Sequence, residues 1–163
     1  MDDILFEHNN CIFSYRVGGI LIHKDKVLMQ SVVGEDGYAI VGGHVAFGET
    51  TEETLKREFK EELCADINID KLAAVGENFF LWNDRPYQQI NLYYIVSLKD
   101  ETQIPTEGIF TALDELGSER IGLDMCWISL ENINSITVYP PQIKDIILQQ
   151  NNSVKHFVYN ELI

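Results

Sequence analysis

A layered α/β domain is the fold class this sequence predicts, and three features predict it. Short β-rich runs recur through the first hundred residues, an amphipathic helical pattern interrupts them at 50–64, and a second such pattern follows near the C-terminal end. Residues 17–22 and 26–32 are rich in Val, Ile and Leu, and His23-Lys24-Asp25 between them reads as a hairpin turn. Gly34-Glu35-Asp36-Gly37 breaks the pattern, 38–41 resumes it as a short strand, and Gly42-Gly43 is expected to turn the chain. Thr50 and Glu53 have the spacing of a capping box, and Leu55, Phe59 and Leu63 repeat every fourth residue, so a helix over 50–64 should turn that stripe to the core. Beyond it, 72–81 and 88–98 are strand candidates joined across a turn at Asn83-Asp84-Arg85-Pro86, and 124–129 is another. Pro141 suits the first position of a helix carrying Ile143, Ile146 and Ile147 at i, i+3, i+4.

The chain has 163 residues, no internal repeat and no Gly/Ser linker, so a single domain spanning 1–163 is expected. No apolar run is long enough to cross a bilayer, and Met1-Asp2-Asp3-Ile4 lacks the basic start of a secretory signal, so no membrane partner is expected. The three cysteines, Cys11, Cys64 and Cys126, are odd in number and scattered, which reads as reduced thiols in a cytoplasm. A net charge of −14 disfavours nonspecific nucleic-acid binding, because phosphates are neutralised by Lys and Arg. A small polyanion is not excluded, since a metal ion and a few local cations can hold it.

The chemistry concentrates in residues 43–65. Glu58, Glu61 and Glu62 stand at i, i+3 and i+4, crowding three carboxylates on one helical face where like charges destabilise the helix. A solvated acidic face is the ordinary account of such a run. The fixed offsets of Gly43, Glu49 and Arg57 from these glutamates argue otherwise: six residues, each found at roughly 6–7% of positions, would match by chance in a chain of this length on the order of once in 10⁵. A hard divalent ion such as Mg²⁺ takes oxygen ligands and bridges substrate phosphates, so an acidic cluster beside glycines suits phosphate chemistry.

This segment resembles the box of the Nudix hydrolases, G-x5-E-x7-R-E-U-x-E-E-x-G-U with U a bulky aliphatic residue. The match runs from Gly43 through Glu49 and Arg57 to Glu62, and departs where Cys64 replaces the glycine and Ala65 the aliphatic residue. The resemblance implies a Nudix α/β/α sandwich with a mixed sheet. It implies that Glu58, Glu61 and Glu62 bind Mg²⁺ or Mn²⁺ with the Gly42 carbonyl, that Arg57 and Glu49 pair to orient them, and that Glu61 and Glu62 take part in catalysis. The implied reaction is hydrolysis of a phosphoanhydride in a small nucleoside-diphosphate-type substrate, and the rival class is a nucleotide-binding module of the same fold without turnover. A homodimer is compatible with the resemblance, since many relatives are dimers. Glycine at position 64 would end the helix in a left-handed conformation, so Cys64 should cost about 1 kcal/mol or shift the turn.

Outside the box, Phe13-Ser14-Tyr15-Arg16 and Glu77-Asn78-Phe79-Phe80 resemble a subgroup in which the second run precedes a His-Glu pair, read here as Gln88-Gln89. If that glutamate serves the subgroup as ligand or base, Glu61 or a downstream acid such as Glu101 or Glu107 must replace it here. Residues that mark ADP-ribose and diadenosine polyphosphate hydrolases are missing, Phe80 and Trp82 standing near their places. Arg16 and Arg85 are candidates to clamp phosphates, Arg16 the better, although surface arginines are usually only solvated. Phe79, Phe80, Trp82 and Tyr87 either pack in the core or stack on a base. His44, inside the box, reads as a surface residue, and His8, His23 and His156 have no partner pattern.

Overall fold

The computed structural model describes residues 2–31, 36–113 and 119–163. They form ten strands: β1 Leu5–His8, β2 Cys11–His23, β3 Lys26–Ser31, β4 Tyr38–His44, β5 Ile67–Trp82, β6 Arg85–Leu98, β7 Ile109–Leu113, β8 Glu119–Ser129, β9 Val138–Tyr139 and β10 Lys155–Asn160. Two α-helices accompany them, α1 Thr51–Leu63 and α2 Ile143–Gln149, with a 3-10 turn over Leu130–Ser135. The strands make one mixed sheet in the order β10-β5-β6-β2-β4-β3-β8-β7, with β1 on β2 and β9 on β4. Three pairings are parallel: β2 with β6, β5 with β10 and β4 with β9. Among the described residues no helix is long and apolar enough to cross a membrane.

Alternation along the central strands builds the layers. Val17 and Leu21 of β2, Leu28 of β3 and Tyr94 and Val96 of β6 meet Leu55, Phe59 and Leu63 of α1 in one apolar cluster. Their neighbours Ile20, Val27, Met29 and Tyr93 point the other way, to Ile133, Ile143 and Ile147. Because strand side chains alternate between faces, α1 and α2 cover opposite faces of the sheet, which is the expected α/β/α sandwich with a mixed sheet.

The expected strands and helix α1 are present, with four corrections. Gly42 and Gly43 do not turn the chain; they lie within β4, opposite Gly18 and Val17 of β2. A Cβ on Gly42 would lie 2.0 Å from the Val17 carbonyl oxygen, so close backbone approach is what requires glycine. The turn expected at 83–86 is only Asn83-Asp84, both with positive φ (50° and 58°), and Arg85 and Pro86 already belong to β6. Pro86 fits there because the β2 ladder begins one residue later, at Tyr87, so its missing N–H costs no bond on that side. Pro141 lies two residues ahead of α2, in a tight turn where the Pro140 and Pro141 carbonyls accept from the Ile143 and Lys144 amides. Strands β1, β7, β9 and β10 are additional to the sequence reading. Part of the break at 34–37 lies outside the described residues.

Helix α1 ends as its one irregular residue demands. Cys64 is the C-cap with φ 53° and ψ 30°, and its N–H donates to the Lys60 carbonyl (3.1 Å) while Ala65 N–H reaches the Phe59 carbonyl (3.2 Å). The Cys64 side chain is exposed, so glycine would forfeit no packing. Cys64→Gly is therefore expected to stabilise the protein by about 0.5 kcal/mol in urea unfolding, relief of left-handed strain exceeding the extra freedom of the unfolded chain. Destabilisation of that size would contradict this account of the helix end.

Candidate active site

Gly48, with φ +88°, turns the chain so that Glu49 falls back beside α1, and Thr50 then caps the helix. Thr50 Oγ1 accepts from the Glu53 amide (3.2 Å) and Glu53 Oε2 accepts from the Thr50 amide (2.8 Å), completing the capping box. Glu49 is held from two directions. Its Oε2 accepts from Thr54 Oγ1 (2.8 Å), and both oxygens accept from the Arg57 fork, Nε to Oε1 at 2.9 Å and Nη2 to Oε2 at 3.0 Å.

The rest of the guanidinium faces the acidic cluster. Arg57 Nη1 donates to Glu58 Oε1 (2.8 Å) and Glu61 Oε2 (3.1 Å), and Nη2 also reaches the His44 carbonyl (3.5 Å). These partners account for all five N–H groups of the side chain. Glu49 above all, with Glu58 and Glu61, keeps Arg57 charged well above the ordinary guanidinium range, while Arg57 holds the Glu49 carboxyl below the usual carboxylate range.

Glu58 lies over Gly43, where a Cβ would come within 2.2 Å of the carboxyl carbon, so glycine at 43 makes room for this carboxylate. Burial pushes the Glu58 carboxyl above its usual range, with Arg57 opposing the shift. Glu58 is partly buried and Glu62 buried (8% exposed), whereas Glu61 is 34% exposed. Glu58, Glu61 and Glu62, with the Gly42 carbonyl, present only oxygen donors, the set that suits a hard divalent cation. No three such side chains among the described residues converge as a ready-made cage. Guanidinium groups stand at these donors instead: Arg57 on Glu58 and Glu61, and Arg16 Nη2 on the Gly42 carbonyl at 3.4 Å. The donor chemistry fits Mg²⁺ or Mn²⁺, and the arginines supply the positive charge the cluster demands.

Arg16 also opens the cluster onto a cavity of about 760 Å³, which it lines together with His44. Arg16 and His44 face each other across the β2–β4 pairing. The cavity lies on the sheet face that carries Ile40 and Tyr93, opposite to α1. His44 is not the surface residue expected from the sequence. It is a partly buried cavity residue whose pKa is lowered to about 4 by burial and by Arg16, against the pull of Asp3 3.9 Å away. Phe80, Trp82 and Tyr87 line the cavity as well, and Phe79 does not.

The other candidates fall elsewhere. Arg85 is drawn to Glu7 on β1 at 2.6 Å and does not line the cavity. Glu101 is 69% exposed and pairs with His23 at the far end of β2, seven residues and about 23 Å along the strand from Arg16. Glu107 is exposed ahead of β7. Gln89 is buried in the cavity floor, bonded to Ser14 and Asn78. Sequence reasoning missed Asn78, Asn91, Tyr139 and Tyr159 in the cavity wall. The period of two shared with Phe80 and Gln89 could have flagged Asn78 and Asn91; nothing in the sequence marks the two tyrosines.

The family model for the NUDIX domain matches residues 13–149. The chain belongs to the Nudix family of hydrolases. Solved structures share its fold at low identity. An ADP-ribose pyrophosphatase from Streptococcus suis matches with a TM-score of 0.58 at 12% identity, over 88% of this chain and 98% of its own. A MutT protein from Bacillus halodurans gives 0.57 at 14% over 91% of each chain, and a NUDIX-family hydrolase from Clostridium perfringens 0.57 at 16% over 85% and 98%.

The lowered His44 pKa has a consequence for stability. The unfolded imidazole takes up its proton near 6.5 and the folded one only near 4, so between these values the unfolded state binds more protons. The contribution is complete above pH 6.5 and is lost as pH falls toward 4. By NMR His44 should still be neutral at about pH 5.5, and His44→Gln should flatten the stability profile in that window. An imidazole that titrates at its ordinary value would contradict the geometry of this site.

Proposed function

We propose that the protein hydrolyses a phosphoanhydride bond in a nucleoside diphosphate linked to another moiety, or in a nucleoside triphosphate, using Mg²⁺ or Mn²⁺ and releasing a nucleoside monophosphate. The observation that carries this reading is the continuity of two features. A carboxylate cluster organised by Arg57 adjoins, through Arg16 and the Gly42 carbonyl, a cavity of about 760 Å³, a size that accepts a nucleotide. Similarity of fold to an ADP-ribose pyrophosphatase and a MutT protein supports the reaction class.

Glu58, Glu61 and Glu62, with the Gly42 carbonyl, would hold the cation, which would supply Lewis-acid stabilisation of phosphoryl charge and activation of water. Glu49 fixes Arg57, and Arg57 holds the like charges of Glu58 and Glu61 together on one helical face. Glu61 is the carboxylate suited to take a proton from the attacking water, because it is the most exposed of the three and can pass the proton to solvent. Arg16, on the cavity side, is placed to bind a phosphate as well as the carbonyl it now contacts. Arg85 has no part in this reading, since Glu7 holds it.

Millimolar Mg²⁺ or Mn²⁺ should raise the melting temperature, because a ligand that binds only the folded state stabilises it. Glu62→Gln should abolish that rise and lower turnover about 100-fold or more. A panel of nucleotides cleaved in ¹⁸O-labelled water should place the label on phosphorus in one product. No metal-induced stabilisation and no cleavage of any diphosphate compound would overturn the reading and leave the non-catalytic nucleotide-binding module in its place.

A further inference from the structure

Residue 54 is one of the seven positions that the box leaves open between Glu49 and Arg57, and here it is a threonine that is 0% exposed. Packing alone does not explain a threonine there. A site sealed from solvent favours an apolar side chain, alanine would form helix better, and a buried hydroxyl costs free energy unless it is bonded. The Thr54 hydroxyl is bonded outside its own helix: Oγ1 donates to Glu49 Oε2 at 2.8 Å.

Thr54, Arg57, Glu58 and Glu61 follow one another at i, i+3, i+4 and i+7, so a hydroxyl, a guanidinium and two carboxylates share one face of α1. Glu49 meets that face from the preceding loop. Its Oε2 receives two donors, Thr54 Oγ1 and Arg57 Nη2 (3.0 Å), while Oε1 receives Arg57 Nε (2.9 Å). Glu49 and Arg57 are both long side chains and could swing together as a bonded pair. Thr54 is short, β-branched and buried, so its hydroxyl has few positions to take and ties the pair to the helix backbone.

The tie bears on the acidic cluster. Arg57 bonds Glu58 Oε1 (2.8 Å) and Glu61 Oε2 (3.1 Å), two oxygens that a divalent cation would also claim. A cation can take them only as Arg57 gives them up, and Glu49 is the partner that retains the guanidinium when it does. We propose that Thr54 is a positioning residue of the site: its hydroxyl fixes Glu49, through Glu49 it fixes the direction of Arg57, and it thereby sets how readily Glu58 and Glu61 are released to the cation. This proposal rests on the reading that Glu58, Glu61 and Glu62 hold a divalent metal ion, and it adds a residue that the box does not specify. Thr54 touches neither metal nor substrate in it and acts only through Glu49 and Arg57.

The test compares the natural full chain with Thr54→Val, which keeps the shape and removes the hydroxyl, and Thr54→Ser, which keeps the hydroxyl. Circular dichroism establishes that each is folded, and Thr54→Ala takes the place of Thr54→Val if the valine variant is not. Without metal, solvent exchange of the Arg57 Nε–H, followed by NMR and assigned by its loss in Arg57→Lys, should be about tenfold faster in Thr54→Val. Binding of Mn²⁺ alone, read from the paramagnetic resonance of the free ion, should be about tenfold weaker in Thr54→Val, as for loss of a partner behind the metal ligands. Thr54→Ser should stay within about twofold of the natural protein in both measurements, because it still donates. Unchanged exchange or unchanged Mn²⁺ affinity in Thr54→Val, or a serine variant as impaired as the valine one, would overturn the proposal. A natural protein that binds no Mn²⁺ at millimolar concentration would instead overturn the metal reading on which it rests, so the two failures are told apart by which protein fails to respond.

Discussion

The Arg57 guanidinium is bonded to three glutamates at once, and the arrangement of the site depends on it. Three carboxylates at i, i+3 and i+4 repel one another on α1, and Glu62 is buried and Glu58 partly buried where water screens them poorly. Arg57 can serve Glu58 and Glu61 only if its own orientation is fixed, and Glu49 fixes it from outside the helix with a two-point bond. Glu49 reaches that position because Gly48 turns the chain and Thr50 caps α1 immediately afterwards. Gly43 leaves the space that Glu58 fills. The spacing of the box is the sequence record of this one electrostatic requirement.

The sheet connects the requirement to a binding space on its other face. Leu55, Phe59 and Leu63 anchor α1 to one face, so the carboxylates lie along the end of β4. Arg16 and His44, paired across β2 and β4, belong to the opposite face and to the cavity. Arg16 is near enough to lower the pKa of His44 and to act on Glu58, so one cation is felt on both sides of the sheet. A phosphate placed at Arg16 would lie between the cluster and the cavity.

Legibility in the sequence followed the range of the interactions. The capping box at Thr50 and Glu53, the stripe of α1 and the left-handed residue at Cys64 depend on neighbours within a turn or two, and all three were readable. Strands β2, β3, β5 and β6 were readable from their apolar runs. The exposed strand β10 was not, because its polar surroundings hide a partnership with β5 some eighty residues away. Gly42-Gly43 looked like a turn because glycine serves both turns and close strand pairing, and only the position of Val17 decides between them. Arg85 and the cavity aromatics were ambiguous because distant partners decide them: Glu7 captures the arginine, and the cavity takes in Phe80 but not Phe79. The box was legible as a spacing, whereas the cavity beside it is assembled from strands distant in the chain.

The interdependence of Glu49 and Arg57 is the claim on which the rest stands, and a double-mutant cycle on Glu49→Gln and Arg57→Gln measures it directly. Urea unfolding of the two single variants and the double variant, without added metal, should give a coupling of at least about 1 kcal/mol, as a partly buried two-point ion pair does. Losses that simply add would contradict the account, because Arg57 would then stand among the carboxylates without being held there by Glu49.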